Sequence, residues 1–459
     1  MVLLKSAGNK KVNLDFNKEF INTFSEKIEI GNVEFINQTL KDLHEADVAN
    51  LIENLSVGTR IKLIELESFN INPEIFIELN ESVQSEVLQL LSIDSVIKII
   101  RRLESDNAIK ILENLEKDAK EKVLERLPPK DKFLLEEGLS YPEDSAARIM
   151  QREFTAVPSN WTVGQTIDYL REDKDLPEEF LEIFIVDSDF KPIGTVPSSR
   201  VLRTSRELKM NSIMNEMPVL ISANMDQEEV GQAFENYNLV SAGVVNKNNK
   251  LVGMITVDDV VTVVQEEAEE DVLRLAGVGD EEITDSVMVK TKRRFNWLLL
   301  NLFTALLATW VISNFGASIE QMVALAFLMP IVASMGGNAG MQTLAVTIRA
   351  IATKELSKSN FNRVVGKEFL IGILNGLIFA IITGVIVQLW FKQLNLSLLI
   401  GVSMILNMIV AGLFGILVPV SLKKLNIDPA LASSVFVTTI TDVIGFLSFL
   451  GLGSIYFLN

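Results

Sequence analysis

Residues 433–451 read SSVFVTTITDVIGFLSFLG. The stretch is apolar enough for a helix that crosses a bilayer, which takes about 20 residues. Asp442 stands in its middle. A carboxylate at that depth costs roughly 2.5–3.5 kcal/mol on insertion scales. A span that keeps one has to turn it toward water, a partner charge or a cation rather than lipid.

Outward from this stretch the pattern repeats. Five apolar segments, near 296–314, 321–352, 369–391, 398–422 and 431–457, predict five spanning helices. The second reads QMVALAFLMPIVASMGGNAGMQTLAVTIRA over 321–350. Pro330, Gly336, Gly337 and Gly340 predict an interrupted helix, because proline removes a backbone donor and glycine weakens the helix. Freed carbonyls at membrane depth are tolerated where they meet protein or a water-filled path. Close packing through small residues accounts for the glycines. It does not account for Asn338 and Gln342, whose side-chain oxygens accompany them. Lys367 and Glu368, at the start of the third span, read as a neighbouring ion pair.

Basic residues set the orientation. Lys292, Arg293 and Arg294 precede the first span, and five bases lie between Arg349 and Lys367. Lys423 and Lys424 follow the fourth span, whereas the first connection has no base and the third only Lys392. The N-terminus is expected in the cytoplasm and the C-terminus outside, in a plasma (inner) membrane. The opening residues MVLLKSAGNKKVNLDF hold no apolar run of signal-peptide length.

Charge is divided as unevenly as hydropathy. Residues 1–290 carry 55 acids and 31 bases, net −24, and the rest carries +6. Such a front half is a poor partner for nucleic acid, which needs clustered Lys and Arg. It suits a cation. There is no cysteine and one histidine, His44. Thiolate chemistry, disulfides and His-rich transition-metal sites are thereby excluded, which leaves oxygen ligands suited to hard cations. No GxxxxGK[ST] loop is present, so no ATPase motor is visible.

Residues 1–140 predict short helices in series, a superhelical α domain. In LHEADVANLIENL (43–55), Leu43, Val48, Leu51, Ile52 and Leu55 share one face. Residues 145–270 hold an internal repeat. RIMQREFTAVPSNWTVGQTIDYL aligns with SIMNEMPVLISANMDQEEVGQAF, placing Met150 on Met214 and Asn160 on Asn224. Each copy continues into a strand pair, IFIVDSDFKPIGTV and AGVVNKNNKLVGMI. This resembles a tandem pair of CBS domains, with boundaries at 141–206 and 207–265. That family's adenine-nucleotide signature fits GMITVDD through Thr256 and Asp259. The same two residues also read as a helix capping box. In the first copy Pro197 and Arg200 break the signature. A connecting helix is expected at 266–292 and the membrane domain at 293–459. The connection opens with Glu266, Glu267, Glu269, Glu270 and Asp271. Like charges at helical spacing repel, and a divalent cation relieves them.

PIVASMGGNAGMQT, DPALASS with TTITDVIGF, and GKEFLIGILNG together resemble the MgtE family of magnesium channels. LHEADVANLIENL resembles its N-terminal domain and SAARIM the start of its CBS pair. The resemblance runs through nearly the whole chain in the family's order. It implies a homodimer whose pore is lined by the second and fifth spans, with Asp442 and the carbonyl of Thr438 at the ion site. It also implies a connecting "plug" helix and cytoplasmic domains that close the pore when Mg²⁺ neutralises their acids. Asn338, Asp428, Asp106, Asp258, Asp259 and the acids of 266–271 are the metal-site residues expected on that basis, with Mg²⁺ as the ion and ATP as a further ligand of the CBS pair. The departure from the family is Asp106–Asn107, where two aspartates are usual. Two other readings stay open: an ion-coupled Co²⁺/Mn²⁺ carrier, and a membrane-tethered nucleotide sensor.

Overall fold

The structure is a computed structural model that describes residues 16–67, 72–173, 176–177, 180–217, 219–278, 287–425 and 427–458. Residues 1–15, and 279–286 of the expected connecting helix, lie outside them. The chain divides into two units, Met1–Gln265 and Glu266–Asn459.

The first unit begins with short helices, from Lys18–Glu29 to Pro129–Leu139. Polar residues ahead of each apolar run explain why they stay short. Asn17, Asn32, Asn80 and Ser92 each accept a backbone N–H at a helix start. His44 does the same, its Nδ1 accepting from the Ala46 N–H at 3.3 Å. The chain's one histidine is therefore a helix cap. Helices pack on those two further along: Glu45–Glu53 on Glu74–Glu78, Ile93–Ile100 on Lys117–Arg126, and Ser105–Glu113 on Pro129–Leu139. Val48, Leu51, Ile52 and Leu55 are buried in the shared core, as their spacing predicts.

The internal repeat forms two like sheets. In the first, β1 (Ala156–Pro158) runs parallel to β2 (Glu182–Val186), which pairs antiparallel with β3 (Pro192–Pro197). In the second, β4 (Ile221–Ser222), β5 (Ser241–Val245) and β6 (Leu251–Thr256) repeat the arrangement, with the irregularity at the same place. Each copy's entry segment bridges to the other copy's sheet. Gln151 pairs with Met254 on β6, and Asn215 pairs with Thr195 on β3. The glycine on each of those strands makes room. A Cβ at Gly253 would lie 2.8 Å from the Gln151 carbonyl, and one at Gly194 would lie 2.6 Å from that of Asn215. The helix Val257–Leu275 follows β6.

Among the described residues, the second unit holds five helices long and apolar enough to span: Val287–Ser313, Ala324–Ala352, Phe361–Phe391, Leu394–Lys424 and Pro429–Leu458. They are called the first to fifth spans. The second span is not interrupted. It is one α-helix with Pro330 inside it, so its glycines free no run of carbonyls. They serve as notches. A Cβ at Gly340 would meet Val437 of the fifth span at 2.6 Å. Gly415 on the fourth span approaches the Gly340 carbonyl and Thr343 in the same way. Without a hydrophobic drive between helices in lipid, such close approach is what holds them. Lys367 and Glu368 do not form the expected ion pair. Glu368 instead accepts the Thr343 hydroxyl at 3.0 Å.

A backbone-to-backbone seam joins the third and fourth spans. A Cβ at Gly372 would sit 2.9 Å from the Met408 carbonyl, and one at Gly376 would sit 2.9 Å from the Ile405 Cα. Gly366, on the same helix, has open space. Overpacking typically costs about 1–3 kcal/mol. Gly372→Ala and Gly376→Ala should each lower the melting temperature of the detergent-purified protein, whereas Gly366→Ala should leave it unchanged or raise it. Equal effects at all three positions would refute the seam.

Candidate ion-binding sites

Candidate ion-facing side chains gather in each unit. In the membrane unit, the second span buries Leu325, Leu328, Val332, Gly336, Gly340, Leu344 and Thr347 along one face. Ser334, Asn338 and Gln342 follow at four-residue spacing on the other side, and all three are exposed. The fifth span does likewise. Val437, Thr441 and Gly445 are buried, while Ser434, Thr438 and Asp442 follow at four-residue spacing on a less buried side.

The register between the two spans brings these stripes to one depth. Ideal Cβ positions place Gly340 against Val437, Gly337 against Thr441, and Gly445 against Ala333, so the helices run antiparallel. Asn338 and Asp442 each follow one of the paired Gly337 and Thr441 in sequence, and the rise is about 1.5 Å per residue. They are therefore within one turn of each other in depth. Asp442 makes no hydrogen bond or ion pair with any described residue. The Thr438 carbonyl accepts the Thr441 hydroxyl at 2.9 Å, and the Thr438 side chain is exposed on the same stripe.

At the sequence edge of the fifth span, Asp428 has two tasks. Its Oδ1 caps the helix by accepting the Ala430 N–H at 2.8 Å. Its Oδ2 pairs with Arg274, which also pairs with Glu270. Arg274 thus relieves part of the repulsion that the acid run suggested. Asp271 has its carboxyl pushed up, by burial and then by Asp428. Glu267 is half-buried, and Glu266 and Glu269 are exposed.

In the first unit a carboxylate cluster forms where the helix Ser105–Glu113 meets the repeat. Gln151 is placed there by its bridge to β6. Its amide donates to Glu104 at 2.9 Å and to Asp259 at 3.3 Å. Glu153 accepts the Ser105 N–H, the Ser105 hydroxyl and the Arg152 N–H. Asp106, 7% exposed, keeps Oδ1 without a partner. Asp259, at the third position of the helix Val257–Leu275, accepts the Thr256 hydroxyl at 2.7 Å. Asp258 is exposed beside it.

The electrostatics follow from crowding. Burial first, then Glu153, Asp259 and Asp258, raises the Glu104 carboxyl to about 7. Burial and then Asp259 push Asp106 well up, and burial raises Asp259. Among the described residues no three Asp, Glu or His side chains converge closely enough to hold a bare metal ion. Sequence reading missed Glu104, Gln151 and Glu153. Glu104 stands two residues before Asp106 and could have been included. The other two depend on the crossed bridge between repeats, which periodicity does not reveal.

A carboxyl raised in the folded state binds its proton there more readily than when unfolded, so folding is favoured at low pH and loses that advantage as pH rises. For Glu104 the window lies between its ordinary value of 4.5 and about 7. In chelator, the melting temperature of the first unit within the full protein should fall from pH 5.5 to 7.5, and Glu104→Gln should flatten the profile. A profile that rises over this window would refute the cluster.

Comparison with known proteins agrees with both units. A family model described as a divalent cation transporter matches residues 329–452, one for the MgtE intracellular N domain matches 43–144, and one for a CBS domain matches 210–266. The magnesium transporter MgtE of Bacillus subtilis is 32% identical over 319 residues, 69% of this chain and 71% of that protein. MgtE of Thermus thermophilus is 31% identical over 71% of this chain and 72% of its own length. The crystal structure of the cytosolic domain of the Mg²⁺ channel MgtE in complex with ATP is 24% identical. It covers 53% of this chain and 99% of that one, with a TM-score of 0.49. With the helical domain, the CBS repeat and the five candidate spans in the family's order, the chain belongs to the MgtE family of magnesium transporters.

Proposed function

We propose that the protein carries Mg²⁺ into the cell through a pore at the two-fold axis of a homodimer, lined by the polar stripes of the second and fifth spans. The observation that carries this reading is Asp442. It is an acid without a partner among the described residues, on a span otherwise fit for lipid, level with the exposed amide of Asn338. In a dimer the stripe of one copy faces that of the other, so the carboxylates meet water and a cation instead of hydrocarbon. Mg²⁺ sheds water reluctantly. Carboxylates and the Thr438 hydroxyl that bond to its waters hold it weakly enough to release it, as conduction requires. The membrane potential supplies about 2.3 kcal/mol per charge per 100 mV, so no motor is needed. The domains divide as 1–140, 141–206, 207–265, 266–292 and 293–459, with the first unit cytoplasmic and the C-terminus outside.

We further propose that cytosolic Mg²⁺ closes the pore. The Glu104, Asp106, Glu153, Asp258 and Asp259 cluster stores repulsion that either protons or a hydrated divalent cation relieve. Asp428 and the acids of 266–271 form the second such group. ATP at Thr256 and Asp259 has to displace the bonds that Asp259 takes from Thr256 and Gln151, so the metal role is the better supported for that residue. The carrier alternative calls for a second titratable group deep in the spans. Glu368 is the nearest, and its bond to Thr343 engages it.

In proteoliposomes, Asp442→Ala should abolish Mg²⁺ flux while the purified protein stays monodisperse. Flux at the unsubstituted rate would end the pore assignment. Asp106→Asn combined with Asp259→Asn should preserve flux at low Mg²⁺ and weaken its inhibition by millimolar Mg²⁺ on the cytoplasmic side. Unchanged inhibition would remove the cluster from gating.

A further inference from the structure

Asn407 lies in the fourth span, outside both pore stripes, and it is fully buried. Its Nδ2 donates to the Val332 carbonyl of the second span at 2.8 Å. Two glycines make room for the amide. A Cβ at Gly336 would overlap Nδ2, and one at Gly445 would come within 2.8 Å of it. Three spans therefore converge on one side chain.

The site is costly. Asn407 Oδ1 and Ser403 Oγ, one turn earlier on the same helix, are both buried without a partner among the described residues. An unsatisfied buried polar group typically costs about 1–3 kcal/mol, and an apolar side chain of the same shape avoids the cost. Packing alone is thus better served by leucine. What leucine cannot supply is the bond to the Val332 carbonyl, which fixes both the rotation and the axial position of the second span. The location gives that bond its consequence. Val332 stands six residues before Asn338, and Gly445 stands three after Asp442. The amide grips both pore helices within about two turns of the groups proposed to face the ion.

We propose that Asn407 is a positioning residue for the ion pathway: its amide keeps the Asn338 stripe and the Asp442 carboxylate level with one another. This inference rests on the pore reading above. It does not require Asn407 to touch the ion.

The test is Mg²⁺ uptake by the full protein in proteoliposomes, measured against Mg²⁺ concentration. Asn407→Leu removes the donor and keeps the bulk. The pair Gly336→Ala with Asn407→Ala trades the carboxamide for one methyl group on the facing helix, refilling part of the notch without the hydrogen bond. A merely structural role lowers the amount of working protein and leaves the half-saturating concentration alone. Displaced ion groups change that concentration. Both variants should stay monodisperse with near-normal melting temperatures, and should either lose flux or shift half-saturation by about fivefold or more. Half-saturation and maximal rate within twofold of the unsubstituted protein would overturn the proposal. So would loss of the fold in both variants, which assigns Asn407 to structure alone. Asp442→Ala run in parallel separates the two readings. If it retains flux, the pore assignment has failed. If it loses flux while the Asn407 variants behave normally, only the positioning role has.

Discussion

A carboxylate inside a membrane span constrains everything around it. Asp442 cannot face lipid without a penalty of several kcal/mol, and no described residue neutralises it. The fifth span answers by burying Val437, Thr441 and Gly445 against its neighbours and keeping Asp442 with Thr438 off that face. The second span takes the complementary shape. Glycines on its buried face admit the fifth and fourth spans closely, and Ser334, Asn338 and Gln342 line the side left over. Polar groups on one face of otherwise apolar helices are stable in a membrane only where that face meets protein or water.

The first unit reuses the same physics. Acids brought together by the fold raise one another's affinity for positive charge. Glu104, Asp106 and Asp259 all hold protons more tightly than usual, with burial the leading cause. The cluster is assembled by the repeat. The crossed bridge from Gln151 to β6 carries Gln151 and Glu153 to the start of the helix that bears Asp106. A cation that relieves such crowding stabilises the arrangement in which the acids meet, and the proposed gating rests on that.

Much of this was legible in the sequence. The five spans, the helical first domain and the doubled α/β unit follow from length, periodicity and the Met150–Met214 repeat. Asp442 identifies itself by standing alone. What the sequence misreads is the role of the second span's glycines. Composition alone predicts a break, but the backbone stays helical because neighbouring helices fill the notches from the side. Arg274 is the other omission. Its partner Asp428 is 154 residues away, and no local pattern announces a pairing at that range. Asn407 is hidden for the same reason. One amide in a long apolar run looks incidental until the glycines around it are seen to be shaped for it.

The central claim is a Mg²⁺ pore that the ion itself closes. Single-channel recording of the full protein in planar bilayers tests it most directly, with Mg²⁺ as the only permeant cation. Discrete openings that become rarer as cytoplasmic Mg²⁺ rises into the millimolar range are the predicted result. Smooth, saturating transport without unitary currents, or openings indifferent to cytoplasmic Mg²⁺, would contradict it.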